Sequence, residues 1–169
     1  PDVMEAMYTA IDRQITEAGL DYFKIDMNRC FTMPGWENPP SSGERSIWVR
    51  YVENLYELFA RLRKRHPDLM MENCACGNGR ADWGFQRFFN RNNRSDNQDS
   101  LDELRLHEGF SYLHLPKFAG GGCHISQYTG HINRRTIPMQ FQAYTGMLGS
   151  LAIGRKLAEL SLIHISEPT

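Results

Sequence analysis

Three short stretches carry the residue types from which chemistry can be built. The first is Lys24-Ile25-Asp26-Met27-Asn28-Arg29, where an apolar and aromatic run breaks off into four polar groups at nearly alternating positions. Such a set does not fit a core. If residues 22–26 form a buried strand, its C-terminal end presents a carboxylate, an ammonium and an amide to one edge of a sheet, which is where α/β barrels keep their chemistry. A carboxylate flanked by Lys24 and Asn28 stays ionised at neutral pH because a nearby cation favours the charged form. It can then serve as nucleophile, general base or metal ligand. A structural Asp–Lys or Asp–Arg pair at a barrel rim accounts for the same residues equally well.

The second stretch is Cys74-Ala75-Cys76-Gly77-Asn78-Gly79-Arg80. Its glycines permit a sharp turn or the close approach of a ligand to the backbone. Exposed N–H groups with Arg80 as donor make a turn suited to a sugar or an anion. The alternative is a tight turn holding two small buried cysteines. Cys123 and His124 could join Cys74 and Cys76 around a metal, but Cys-x-Cys matches the common zinc spacings poorly, and no metal is expected. The third stretch is Ser95-Asp96-Asn97-Gln98-Asp99. Asp99 is explained as a helix-start residue. Asp96 has no such local role and projects from a turn after a strand, as Asp26 does. Two carboxylates on one barrel face are the minimum equipment for glycoside cleavage. His124 and His131 stand too far apart for an i, i+4 metal pair, and no Gly-x-Ser-x-Gly, Walker or dinucleotide fingerprint is present.

The elements that would position these residues alternate. Helical spacing of Met4, Met7, Tyr8, Ile11, Ile15 and Ala18 predicts a helix over 2–18, with Asp2 and Glu5 as a capping box and Gly19 just past the end. A strand over 22–26, nearly all apolar, suits a parallel sheet covered on both faces. A Pro-, Gly- and Asn-rich loop over 30–43 leads, through a second capping box at Ser41 and Glu44, into a helix ending near Arg65. Its basic end suits the dipole, and Pro67 stops it. A strand over 69–72, a short helix over 82–88 capped by Asp82, a weak strand over 89–94 and a polar turn over 95–99 follow. The pattern then predicts a helix over 100–107, a strand over 112–118, a loop over 120–133, a helix over 138–146 with Pro138 at N1, and a last strand over 148–153. Such alternation implies a parallel sheet wrapped by helices, with long polar loops after the strands. The 169 residues fall short of the roughly 250 of a whole barrel, and about five strands are legible. The expected fold class is α/β, a partial (β/α)8 TIM barrel holding roughly strands 4 to 8.

Composition excludes several classes. The formal net charge of -1 gives no reason to expect a nucleic-acid partner. No apolar run is long enough to span a membrane. The four cysteines do not make a disulfide-dense scaffold.

The three stretches, taken together, resemble a known family. Lys24-Ile25-Asp26-Met27-Asn28-Arg29 closely resembles the Lys-Trp-Asp-Met-Asn-Arg signature of family 36 glycoside hydrolases, the melibiase-type α-galactosidases. Cys74-x-x-Gly77-x-Gly79-Arg80 resembles their Cys-x-x-Gly-Gly-Gly-Arg loop, which follows a strand and a Glu-Ser dipeptide (here Glu72-Asn73). Arg94-Ser95-Asp96-Asn97-Gln98-Asp99 resembles their Thr-Ser-Asp-Asx-Thr-Asp motif. Order and approximate spacing agree over residues 2–154, more loosely after Gly120. The resemblance implies retaining hydrolysis of a terminal α-galactoside through a covalent glycosyl-enzyme. Asp26, at the end of the fourth barrel strand, would be the nucleophile, and Asp96, at the end of the sixth, the general acid/base. Lys24, Asn28, Cys74 and Gly77 would line the galactose subsite. The substrate would be an α-galactoside oligosaccharide, with no metal or organic cofactor.

Departures from the family pattern mark a divergent subgroup: Ile25 for Trp, Asn78 for Gly, Gln98 for Thr, and a loop over 115–126 only loosely similar to the family's Gly-Ala-His-Val-Ser region. An α-N-acetylgalactosaminidase or an α-galactosyl transferase of the same fold are alternatives, as is a non-catalytic sugar-binding relative, which the presence of both Asp residues disfavours. Residues 1–159 are expected to be the C-terminal part of a glycosidase catalytic domain. The family's earlier strands and β-sandwich are not in this chain, so the fragment is expected to be inactive alone. Residues 160–169 do not resemble the family; they are similar to translated sequencing-adapter read-through and are expected to be non-native. A homo-oligomeric full-length enzyme, and either a cytoplasmic or a periplasmic or secreted location, are compatible with the sequence.

Overall fold

In the computed structural model the described residues are 2–28, 35, 46–120, 124–125 and 133–154. The chain divides into two compact units, the first made of residues 1–73 with 80–90, the second of residues 74–79 with 91–169.

The first unit begins with helix α1, Asp2–Ala18. It ends where the spacing of its apolar residues predicts. Gly19 takes a positive φ of 59° and the Leu20 N–H closes back on the Ile15 carbonyl at 3.0 Å, a Schellman arrangement that satisfies an otherwise orphaned acceptor. Strand β1, Tyr22–Ile25, then leads by way of helix α2, Ser46–Arg65, to strand β2, Met70–Asn73. The two strands pair in parallel with Lys24 opposite Glu72 and Ile25 opposite Asn73. Leu55, Leu58, Phe59 and Leu62 lie on one side of α2 and are buried. They meet Ile15, Leu69, Met71, Phe85, Phe88 and Phe89 in one apolar cluster. Phe59 packs edge-on to Phe89 and Phe85, with ring centroids 4.8 and 5.9 Å away. Short helix α3, Trp83–Gln86, is capped by Asp82 as expected. The basic end of α2 has a specific task beyond its dipole. The Arg63 guanidinium donates to the Phe88 carbonyl at 2.7 and 3.0 Å, to Leu69 O at 2.7 Å and to Asn90 Oδ1 at 2.8 Å, stitching the segments on either side of β2 to the helix.

The second unit repeats the strand–helix–strand pattern twice. Strand β3, Arg91–Asn93, helix α4, Ser100–Ser111, and strand β4, Ala119–Gly120, form one crossover, with Asn93 opposite Gly120 in a parallel pair. Strand β5, His124–Ile125, helix α5, Met139–Gly146, and strand β6, Ala152–Ile153, form the other, also parallel. Asp99 caps α4 by accepting the N–H groups of Leu101 and Asp102.

Several expectations are corrected here. The strand expected over 112–118 is absent. The helix instead runs on to Ser111, Pro116–Phe118 form a 3-10 turn, and only Ala119 and Gly120 pair as a strand. Tyr112, Leu113 and Leu115 are exposed, so their apolar character marks no buried strand in this unit. Pro116 supplies no N–H to a ladder but fits the first position of a tight helical turn. β5 lies inside the stretch expected to be a loop over 120–133, and the strand expected over 148–153 is confined to Ala152–Ile153. Pro138 is the cap residue of α5 rather than its first helical residue. The capping box at Ser41 and Glu44, Arg29, Cys30, Cys123, His131 and residues 155–169 lie outside the described residues.

Candidate active site

In the first unit the site is built on the C-terminal end of β1. Side chains alternate along a strand, so Tyr22 and Lys24 share one face. Both reach Glu72, in register on β2: Lys24 Nζ lies 3.2 Å from Glu72 Oε1, and the Tyr22 hydroxyl donates to Oε2 at 2.9 Å. A buried carboxylate is tolerated because each oxygen has a donor or a cation. Sequence alone did not bring Glu72 into the site; the hint was a Lys and a Glu each placed just before the end of its strand. Asp26 follows β1 immediately, exposed, with Oδ1 accepting the Met27 N–H at 2.8 Å. The Tyr51 hydroxyl contacts Met27 Sδ at 3.6 Å, so α2 touches the segment that carries Asp26. Asn28 is exposed two residues on. Arg80, expected to offer its charge to a ligand, is buried and donates through Nη2 to the Ile25 carbonyl at 3.3 Å, while its own carbonyl accepts from Asn73 Nδ2 at 2.9 Å. It braces the strand end from which Asp26 projects.

In the second unit Cys74, Gly77 and Asp96 come together. The link is Asn93, the last residue of β3, which sequence reasoning did not single out. Its buried amide Nδ2 lies 3.1 Å from Cys74 Sγ and donates to Asp96 Oδ1 at 2.9 Å. Gly77 has φ +83°, and a Cβ there would stand 2.9 Å from Ser95 Cα and 3.1 Å from the Arg94 carbonyl. Glycine is therefore required both by backbone conformation and by close packing of the turn on the loop that carries Asp96. The turn closes on itself through Ala75 N–H to Gly77 O at 3.0 Å and Gly79 N–H to Ala75 O at 3.2 Å. The facing loop is held as firmly. Ser95 Oγ accepts from Asn97 N–H, Asn97 Oδ1 from Asp99 N–H, and Asn97 Nδ2 donates to Asp102, each at 3.0 Å. These local side chain–backbone bonds are what Ser, Asn and Asp supply in turns.

Next to that loop lies an ionisable cluster of buried Arg94 and Glu103 and half-buried His107. Arg94 Nη2 stands 2.8 Å from Glu103 Oε2, and Arg94 Nη1 donates to His107 Nδ1 at 2.7 Å, which fixes that ring nitrogen as the acceptor. Glu103 and His107 are one helical turn apart on α4. Burial pushes the Glu103 carboxyl up to about 7, the Arg94 charge opposing this and Asp102 reinforcing it. Burial and the Arg94 charge hold His107 below the usual imidazole value. Among the described residues no group of three potential metal ligands is found.

The sequence model of the Melibiase family matches residues 1–165. The chain belongs to the melibiase family. Alpha-galactosidase 2 of Pediococcus pentosaceus is 32% identical to this chain over 151 residues, covering 89% of it and 21% of that relative. The solved α-galactosidase of Lactobacillus brevis superposes with a TM-score of 0.92 at 26% identity, covering 98% of this chain and 22% of that one. A variant of the GH36 α-galactosidase AgaA of Geobacillus stearothermophilus, solved in complex with raffinose, gives a TM-score of 0.91 at 25% identity over 97% of this chain and 23% of that one. The chain thus spans about a fifth of the length of the relatives it matches. Its fold is the part of a (β/α)8 barrel expected from sequence, with β1 and β2, β3 and β4, and β5 and β6 as parallel pairs joined through helices.

Proposed function

We propose that this chain carries the two catalytic carboxylates of a retaining α-galactosidase acting on α-galactoside oligosaccharides. Asp26 attacks the anomeric carbon while Asp96 protonates the departing oxygen, leaving a covalent glycosyl-enzyme. Water, giving its proton to Asp96, then attacks the anomeric carbon, and the bond to the Asp26 oxygen breaks to release the carboxylate. This route requires carboxylates about 5 to 5.5 Å apart in the assembled site. Lys24, Asn28, Cys74 and Gly77 bind the galactose.

The observation that carries the reading is the Asn93 bridge, which ties the turn assigned to the sugar directly to the carboxylate assigned to proton transfer. Asp26 supports it from the other unit by standing at the C-terminal end of a parallel strand, the barrel's reactive face. The raffinose bound to the AgaA variant favours an oligosaccharide substrate. Because the chain spans about a fifth of its relatives, activity is expected of the complete polypeptide and not of this stretch alone.

The test uses the complete polypeptide with an aryl α-galactoside and raffinose. Asp26→Gly should abolish turnover of both, and azide should restore cleavage of the aryl substrate as a galactosyl azide of inverted configuration. Asp96→Gly should abolish raffinose cleavage and spare much of the first step on the activated aryl substrate. NMR should find the α-anomer of galactose as first product. Near-normal turnover in either variant, or a β-anomer first product, sinks the assignment.

A further inference from the structure

We propose that Asn93 is the positioning residue of the general acid, holding the Asp96 carboxyl in its proton-donating orientation while fixing Cys74 at the sugar-binding turn. The proposal rests on the reading of Asp96 as acid/base.

The argument starts from an imbalance. Asn93 is buried at the end of β3, with its backbone in register with Gly120. Its Nδ2 serves both Asp96 Oδ1 at 2.9 Å and Cys74 Sγ at 3.1 Å. Its Oδ1 is buried and finds no hydrogen-bond partner among the described residues. A half-satisfied amide in a core is a poor stabiliser, since the orphaned carbonyl offsets what the donor side contributes. Folding alone therefore gives little reason for Asn here, since an apolar residue would carry no carbonyl to be orphaned. The amide orientation follows from chemistry, because a carboxylate oxygen 2.9 Å away accepts and the group facing it must donate.

Geometry explains what the donor does. Asp96 follows β3 by three residues in a loop whose backbone is already held by Ser95, Asn97 and Asp99. Those contacts fix where the Asp96 backbone lies and leave its χ angles to be settled. The bond to Oδ1 fixes the carboxyl plane and reserves that oxygen, so the proton is delivered from Oδ2. The same Nδ2 holds Cys74 Sγ, so the sugar-side turn and the acid keep a constant separation. A strand end is the rigid element on which such an anchor has to sit.

The effect should depend on the leaving group, which a merely structural role would not reproduce. Raffinose needs its departing oxygen protonated in the transition state, whereas a nitrophenolate leaves with little help. In the complete polypeptide, Asn93→Leu should lower kcat/KM on raffinose about ten- to hundredfold, the scale of a lost hydrogen bond to a charged group. The loss on 4-nitrophenyl α-galactoside should stay within about threefold, for the first step needs little acid help. Asn93→Ser, a smaller change with a shorter donor, serves as second variant and should show the same asymmetry to a lesser degree. Asp96→Gly is the control. If it shows the leaving-group-dependent loss while both Asn93 variants lose activity on the two substrates equally, or lose none, the positioning role is overturned and the acid/base reading stands. If Asp96→Gly shows no such asymmetry, the reading of Asp96 fails and the proposal with it.

Discussion

Replacing Glu103 by Gln tests the energetics of the ionisable cluster next to the Asp96 loop. Glu103 is fully buried and 2.8 Å from Arg94, yet burial outweighs the attraction and its carboxyl titrates near 7 instead of 4.5. The folded state thus binds this proton more tightly than the unfolded chain does. Glu103 favours folding fully below about pH 4.5, and that contribution is lost as pH rises through about 7, a change of about 3 kcal/mol. His107 has the opposite sign. Its folded value is depressed, so its contribution is present above about pH 6.5 and lost as pH falls further. Both proteins in the comparison keep His107, and their difference isolates Glu103. Gln has the shape of the protonated carboxyl and cannot ionise. The assay is amide hydrogen exchange of peptides from Ser100–Ser111 in the complete polypeptide, corrected for intrinsic rates, from pH 5 to 8. It reads local opening without requiring a multidomain protein to unfold in one step. At pH 5 the two should differ by less than about 1 kcal/mol, as expected for two neutral hydrogen-bonding groups. At pH 8 the variant should exchange on the order of a hundredfold more slowly, about 3 kcal/mol. A variant that exchanges faster than the parent at every pH would mean that the Arg94–Glu103 pair is net stabilising, as when breaking a buried pair costs about 3–5 kcal/mol. That result, or identical pH trends, would refute the reasoning.

On the proposed function, Gly77→Ala should lower kcat/KM of the complete polypeptide on raffinose at least about tenfold, because about 1–2 kcal/mol of left-handed strain combines with a Cβ driven 2.9 Å from Ser95 Cα, displacing the Asp96 loop; unaltered kinetics would show that the turn and the loop move independently. Phe59→Ala removes a fully buried ring from the first unit's core and should cost about 3–5 kcal/mol in urea unfolding of the transition that includes this unit; a loss below about 1 kcal/mol would mean the site collapses around the deletion and the aromatic cluster is not its keystone.

Much of the architecture of the first unit is legible in the sequence. The end of α1 at Gly19, the buried side of α2 and the Asp82 and Asp99 caps are local matters, each decided by residues within about one turn. The stretch over 112–118 failed for an equally physical reason. Apolar residues next to a helix end read as a strand, but Pro116 favours a tight helical turn and the neighbouring side chains stay on the unit's surface. Asp96 stood out in the sequence because Asp99 already accounted for the helix start; its proposed role in proton transfer rests on the family resemblance.

What the sequence by itself determined was the βα alternation, the order of elements as far as α4 and which polar residues stand at strand ends, since periodicity, caps and glycine turns act over a few residues. Only the tertiary structure decided the partners. Tyr22 meets Glu72 across 50 positions, Asn93 reaches back 19 to Cys74, and Arg80 reaches back 55 to the Ile25 carbonyl. Such contacts depend on strand register and on how the 74–80 turn folds over its neighbours. A shift of one residue sends every side chain of a strand to its other face, so no local pattern encodes which amide comes within 3 Å of which carboxylate.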